Sequence, residues 1–197
     1  MLDAMSRADK ITLSRIILAP FFFLIYEYSL FPPTISIAFL WILYALMELS
    51  DLFDGRVARS EGKVSDFGKL FDPFADVFAR LTYFVCFAFS GIMPLWIFVI
   101  ILYRELSVLF LRMLLGFRGI ALGARRGGKL KAGLYMASGL LSLVIFSFEG
   151  LSLTPSWAPA LRTILLVIYV AAAVLSVASF IDYILQYRKL TKSTKNP

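Results

Sequence analysis

The 197-residue sequence predicts an all-α integral membrane protein with six transmembrane helices and cytoplasmic N- and C-termini. Three observations lead there. Hydrophobic residues make up 60% of the chain and charged residues 17%, with a mean hydropathy of +0.82, well outside the balance of an average soluble domain. Apolar runs of the ~20 residues needed to cross a ~30 Å hydrocarbon core recur along the chain, separated by charge or by Pro and Gly. Finally, of the 20 Lys and Arg, all but Arg80, Arg104 and Arg162 fall on one side if those runs are crossings. Positive charge marks the cytoplasmic side.

The runs fall at about 12–30, 34–52, 68–90, 94–116, 131–148 and 161–187. Before the first lies a polar, amphipathic juxtamembrane segment, 1–11, with no small-residue cleavage site of a signal peptide. FPPT separates the first two runs, SGIMP the third and fourth, and SLTPSWAPA the last two. The second and third are joined by the most polar interior stretch, 53–69, and the fourth and fifth by the basic, Gly-rich FRGIALGARRGGKLK. Residues 188–197 read as a solvated cytoplasmic tail with a frayed end. No linker divides the chain, so 1–197 is expected to form one membrane domain. The formal charge of +7 follows from the positive-inside bias, which points to anionic headgroups and away from nucleic acid. Cys86, the single cysteine, lies in a run and excludes an internal disulfide; it reads as a small buried apolar residue.

Four acids interrupt this apolar pattern. Asp51 and Asp54 are three residues apart and Asp72 and Asp76 four apart, so each pair shares one helical face. Clustered carboxylates repel one another, and ionisable groups at membrane depth are expensive unless they do a job; a bound cation resolves both costs. The chain has no His, and one Cys cannot make a thiolate site, so the ligands are oxygens and the metal Mg²⁺ or Mn²⁺. Four carboxylates can hold one ion or a pair, and paired ions commonly clamp phosphoryl groups. Gly55 and Ala58 thin the surface beside Asp54, Gly68 clears room a turn before Asp72, and Arg59 offers a guanidinium fork to phosphate. Taken singly, each acid could equally cap a helix or neutralise a surface Lys or Arg; as an ordered set they point to a site.

The run Asp51-x-x-Asp54-Gly55-x-x-Ala58-Arg59, eight residues, then Gly68-x-x-x-Asp72-x-x-x-Asp76 resembles, at every fixed position, the signature of the CDP-alcohol phosphotransferase family. The resemblance implies metal-dependent transfer of a substituted phosphoryl group from a CDP-linked donor to an alcohol, with release of CMP. It implies that Asp51, Asp54, Asp72 and Asp76 hold metal, Mg²⁺ or Mn²⁺ and two ions in number. It further implies that Asp76 is the general base and that Asp51, Gly55, Ala58, Arg59 and Gly68 contact the nucleotide. A homodimer and an active site facing the cytoplasm are implied as well.

Within that family, ITLSRIILAPFF with Thr12, Arg15 and Pro20, FGKLFDPFAD, Arg104 to Arg112, and GKLK ending at Lys131 resemble elements of bacterial phosphatidylglycerophosphate synthases. They imply CDP-diacylglycerol as donor and sn-glycerol 3-phosphate as acceptor, with Arg104, Arg112, Lys129 and Lys131 available to the acceptor's phosphate. Arg104 stands beside Glu105 in an apolar run, where a charge needs a partner or a ligand. Lys129 and Lys131 could as well be topogenic charge. Val77 after the last acid and DGRVAR look more like phosphatidylserine synthases. Glu48, a turn before Asp51, could face choline or ethanolamine in an aminoalcohol phosphotransferase, or pair with a basic residue. Arg80 continues the row Asp72, Asp76 and is expected to restrain Asp76 or pair with an interior acid; Asp182 is expected in a structural ion pair. A cation transporter is the reading from a different class, disfavoured because the acids gather at one end of their helices instead of crossing the membrane.

Overall fold

The computed structural model describes the backbone of residues 7–28, 30–61, 66–117 and 126–193, and the side chains of these except at 7–8, 51–61, 66–67, 69, 126–129 and 189–193. Six helices are present among the described residues: α1 (Arg7–Glu27), α2 (Pro33–Glu61), α3 (Asp66–Phe89), α4 (Leu95–Gly116), α5 (Arg126–Gly150) and α6 (Ala158–Ser193). Their order matches the six expected runs. The boundaries differ where polarity was taken for a break in structure. α1 absorbs the end of the juxtamembrane segment without interruption, α2 stays helical nine residues into the polar stretch, and α6 is helical through Ser193 where a frayed end was expected. Hydropathy reports where a chain leaves lipid, whereas helix hydrogen bonds are satisfied equally well in water.

The helices close on themselves. α1 packs on α2 and α3, α3 on α4, α4 on α6, α6 on α5, and α5 returns to α2 and α3. Aromatic rings fill the interior. Phe84 meets Tyr135 and Tyr169 edge-on at 5.5 and 5.9 Å between centroids, and Tyr26 stacks on Phe146 at 4.1 Å. Buried tyrosine hydroxyls need partners, and serines on neighbouring helices supply several: Tyr26 with Ser90 at 2.7 Å, Ser142 with Tyr169 at 2.6 Å, Tyr135 with Ser176 at 2.9 Å. In a bilayer such bonds and close packing replace the hydrophobic drive that lipid cannot provide between helices.

Outward faces are apolar. Ile17, Phe21 and Leu24 on α1, Ile35, Phe39, Ile42 and Leu46 on α2, and Val167, Val174 and Ile181 on α6 are exposed in stripes at helical spacing. Stretches long and apolar enough to cross a membrane occupy Pro33–Ser50, Leu130–Gly150 and Ala158–Arg188 among the described residues. The protein is thus a helical membrane protein. The other three helices, α1, α3 and α4, carry ionisable residues within their apolar runs, among them Arg15, Asp72, Asp76, Arg104 and Glu105.

Glycine matters at two places. Gly91 has φ +72°, the left-handed conformation that lets SGIMP turn between α3 and α4, and Met93 N–H bonds back to the Phe87 carbonyl at 2.9 Å. Gly139 on α5 faces Tyr44 and Tyr83: a Cβ there would lie 2.8 Å from the Tyr44 oxygen and 3.1 Å from Tyr83 Cε2. Tyr44 cannot easily yield, because its hydroxyl donates to the Met136 carbonyl at 2.6 Å and its ring packs against Tyr83 at 5.4 Å. Gly139→Ala is therefore expected to destabilise the detergent-solubilised protein by about 1–3 kcal/mol. Thermal unfolding checks this against Gly133→Ala, where a Cβ meets nothing within 4 Å.

Candidate active site

Asp72 and Asp76 lie one turn apart near the start of α3, with Pro73 between them. Pro73 has no N–H to give the carbonyl of residue 69, so the backbone ladder is interrupted beside the acids. α1 meets both carboxylates. Thr12, fully buried, donates its hydroxyl to Asp72 Oδ1 at 2.6 Å, and the buried Arg15 guanidinium forms an ion pair with Asp76 Oδ1. The Asp76 side chain keeps 24% of its surface open while that of Arg15 keeps 2%. Gly68, one turn before Asp72, is buried.

α2 reaches the same region from its other end. Tyr83 on α3 donates to Glu48 Oε1 at 3.1 Å, which ties α2 to α3 one turn before Asp51. Backbone helix continues through Asp51, Asp54, Gly55, Ala58 and Arg59, so these positions follow one another on successive turns. Their side chains, and that of Lys129 in the first turn of α5, lie outside the described residues. Among the described residues no three acids gather, and Asp51 and Asp54 are not among them. Asp72 and Asp76, with the Thr12 hydroxyl, present oxygen only; the one thiol of the chain, Cys86, is buried in the core. Such a donor set fits Mg²⁺ or Mn²⁺ and does not fit a softer metal.

A second polar cluster lies inside the α4, α5 and α6 face. Glu105 is its centre. Arg104 Nη1 donates to both Glu105 oxygens at 2.8 and 2.9 Å, Lys131 Nζ to Oε1 at 2.5 Å, and the Tyr135 hydroxyl to Oε1 at 2.9 Å. Arg104 is engaged further by α6, donating Nε to the Ser176 carbonyl at 3.2 Å and Nη2 to Ser179 Oγ at 2.7 Å. Arg104, Glu105 and Lys131 are all buried, so two cations share one carboxylate away from water. Farther along α4, Arg112 donates Nη2 to the Tyr183 hydroxyl at 2.8 Å, while its buried Nε has no hydrogen-bond partner among the described residues.

The profile of CDP-alcohol phosphatidyltransferase matches residues 5–175. The chain belongs to this family. It is a transferase. Among similar proteins, a CDP-diacylglycerol–glycerol-3-phosphate 3-phosphatidyltransferase of Treponema pallidum is 37% identical over 95% of this chain and 92% of its own length. A probable phosphatidylglycerophosphate synthase of Mycobacterium tuberculosis is 30% identical over 90% and 79%, and a CDP-diacylglycerol–glycerol-3-phosphate 3-phosphatidyltransferase of Bacillus subtilis 32% over 74% and 84%.

In this CDP-alcohol phosphatidyltransferase, several residues have roles that the sequence did not disclose. Arg15 reads as topogenic charge and Thr12 as the start of an apolar run, yet both touch the α3 acids; their spacing of three, matched to the Asp72–Asp76 spacing of four, is the available signal. Arg80 was expected to restrain Asp76 or to pair with an interior acid; Asp76 forms an ion pair with Arg15. Glu105 was noticed only as the neighbour of Arg104, and the gathering of Lys131, Tyr135, Ser176 and Ser179 around that pair comes from three helices. Removing one member of a buried pair leaves the other charge uncompensated, so Glu105→Ala is expected to cost roughly 3–5 kcal/mol of stability. Glu105→Gln, which keeps an acceptor oxygen, should cost less, and thermal unfolding of the two variants in one detergent provides the comparison.

Proposed function

We propose that this chain transfers the phosphatidyl group of CDP-diacylglycerol to a hydroxyl of sn-glycerol 3-phosphate, giving phosphatidylglycerophosphate and CMP. The observation that carries the choice of acceptor is the surplus of buried cation over carboxylate between α4, α5 and α6. Among the described residues Arg104 and Lys131 share the single carboxylate of Glu105, and Arg112 Nε, on the same helix as Arg104, lacks a described partner. Excess positive charge in apolar surroundings suits an acceptor that brings its own phosphate. The names of the similar proteins agree with this acceptor. Glu48, which motivated the aminoalcohol alternative, receives the Tyr83 hydroxyl.

Asp51, Asp54, Asp72 and Asp76 are the residues that would hold divalent cations, Mg²⁺ or Mn²⁺ and two in number. When bound, such ions supply the positive charge that a diphosphate and a departing CMP require. The chain's own residues do the rest. Asp76, partly open on its face of α3, accepts the proton of the attacking hydroxyl; without His, a carboxylate must serve. Gly55, Ala58 and Gly68 let the nucleotide approach the backbone, Arg59 binds phosphate oxygen, and Asp51 contacts the nucleotide. Lys131, Arg112 and Lys129 hold the acceptor's phosphate. Arg104, with donors already directed to Glu105, Ser176 and Ser179, contributes by keeping α4 and α6 in register beneath it.

We also infer six crossings with both termini cytoplasmic. At 1.5 Å per residue, α1, α3 and α4, with 21, 24 and 22 residues, are each long enough to span a ~30 Å core. The carboxylates then face the cytoplasm, where the water-soluble acceptor is found.

Purified protein given CDP-diacylglycerol and Mn²⁺ or Mg²⁺ should release CMP only when glycerol 3-phosphate is added, not serine, and CDP-choline with diacylglycerol should not react. CMP formed with serine in place of glycerol 3-phosphate overturns the assignment. EDTA should stop the reaction and excess Mn²⁺ restore it. Asp76→Asn should lower CMP release by about a hundredfold or more while the protein stays folded. Arg112→Met should raise KM for glycerol 3-phosphate and leave KM for CDP-diacylglycerol close to wild type.

A further inference from the structure

Arg15 sits where a metal site would not be expected to tolerate a cation. It is 1% exposed, comes from α1, and its guanidinium is on Oδ1 of Asp76. One turn earlier on the same helix, Thr12 holds Asp72 by the corresponding oxygen. Both α3 acids are thus gripped from α1 through Oδ1, each by a side chain that is itself buried. The grip fixes the rotation of each carboxylate, and so fixes where its Oδ2 is directed. Arg15 adds a full positive charge held against Asp76 in a buried position, where parting a guanidinium from its carboxylate is costly.

We propose that Arg15 is a positioning residue and resident counter-cation of the carboxylate site. It sets the orientation in which Asp76 meets the acceptor hydroxyl, and it offsets part of the negative charge that draws divalent cations in. The inference rests on the reading of the four aspartates as one metal-binding site. Two consequences follow from a charge at this place, and they have opposite signs. Taking the charge away strengthens cation binding, because one repulsive partner is gone. It also slows turnover, because Asp76 loses the contact that orients it. A residue that merely holds α1 against α3 would weaken both together when removed.

The experiment measures Mn²⁺ affinity of the purified, detergent-solubilised protein by the electron paramagnetic resonance signal of free Mn²⁺, alongside kcat for CMP release at saturating Mn²⁺. Arg15→Met, which keeps the length and loses the charge, should bind Mn²⁺ about fivefold more tightly, the scale of one unit charge several ångströms from the ion at a partly screened site. Its kcat should fall by about tenfold or more, with both KM values within about twofold of wild type. Arg15→Lys keeps the charge and loses the fork, so its Mn²⁺ affinity should match wild type while kcat recovers only in part. Because Arg15→Lys tests the charge without emptying the position, it decides the matter if Arg15→Met does not fold: Mn²⁺ affinity at the wild-type value with reduced kcat supports the proposal, and unaltered kcat overturns it. Mn²⁺ binding that is unchanged or weaker in folded Arg15→Met overturns the role of Arg15 and leaves the carboxylate site standing. A wild-type protein that binds no Mn²⁺ overturns both.

Discussion

Charge in a medium that solvates it poorly is the constraint on which the rest of this molecule depends. An ionised side chain at membrane depth persists only beside an opposite charge, a set of hydrogen bonds or a bound ion. Arg15 has Asp76, Arg104 and Lys131 have Glu105, and Glu48 has Tyr83. Since each pair joins two helices or more, except the adjacent Arg104 and Glu105, the same contacts that solve the solvation problem also fix how the bundle assembles. In this protein electrostatics and architecture are one problem.

That coupling separates the helices into two kinds. α2 up to Ser50, α5 and α6 are apolar enough to cross a bilayer by composition, and all six helices present exposed apolar side chains. α1, α3 and α4 carry Arg15, Asp72, Asp76, Arg80, Arg104, Glu105 and Arg112, and they depend on neighbours to keep those groups satisfied. α3 is pivotal. Its first turns carry two acids of the signature, and its second half supplies Tyr83, Phe84 and Phe87 to the aromatic interior. Rigid packing below and partly open carboxylates above suit a site that must hold its geometry while substrates exchange.

The two polar clusters differ in sign, and the difference matches their tasks. On the proposed reading the acids of α2 and α3 take cations, and the α4–α6 region, where Arg104 and Lys131 share the Glu105 carboxylate, takes an anion. A transferase that moves a phosphatidyl group from a CDP-linked donor to a phosphorylated alcohol, with CMP leaving, needs both, set far enough apart that neither cancels the other.

Much of this was legible in the chain itself. Six runs of apolar residues predict six helices because the bilayer imposes a length and a composition on each, and the spacing of Asp51, Asp54, Asp72 and Asp76 matches the family signature because residues proposed to serve one site must share helical faces. Both are local constraints, written in consecutive residues. The ends of α2 and α6 were not legible, since a hydropathy pattern loses its meaning where the helix enters water. Nor could the sequence assign Arg15 to Asp76, gather Lys131, Tyr135 and Ser179 about Arg104 and Glu105, or reveal that Gly139 must remain bare for Tyr44. Partners sixty or seventy positions apart leave no periodic trace. Which charges meet depends on how the helices rotate and pack against one another, and only the tertiary structure decides that.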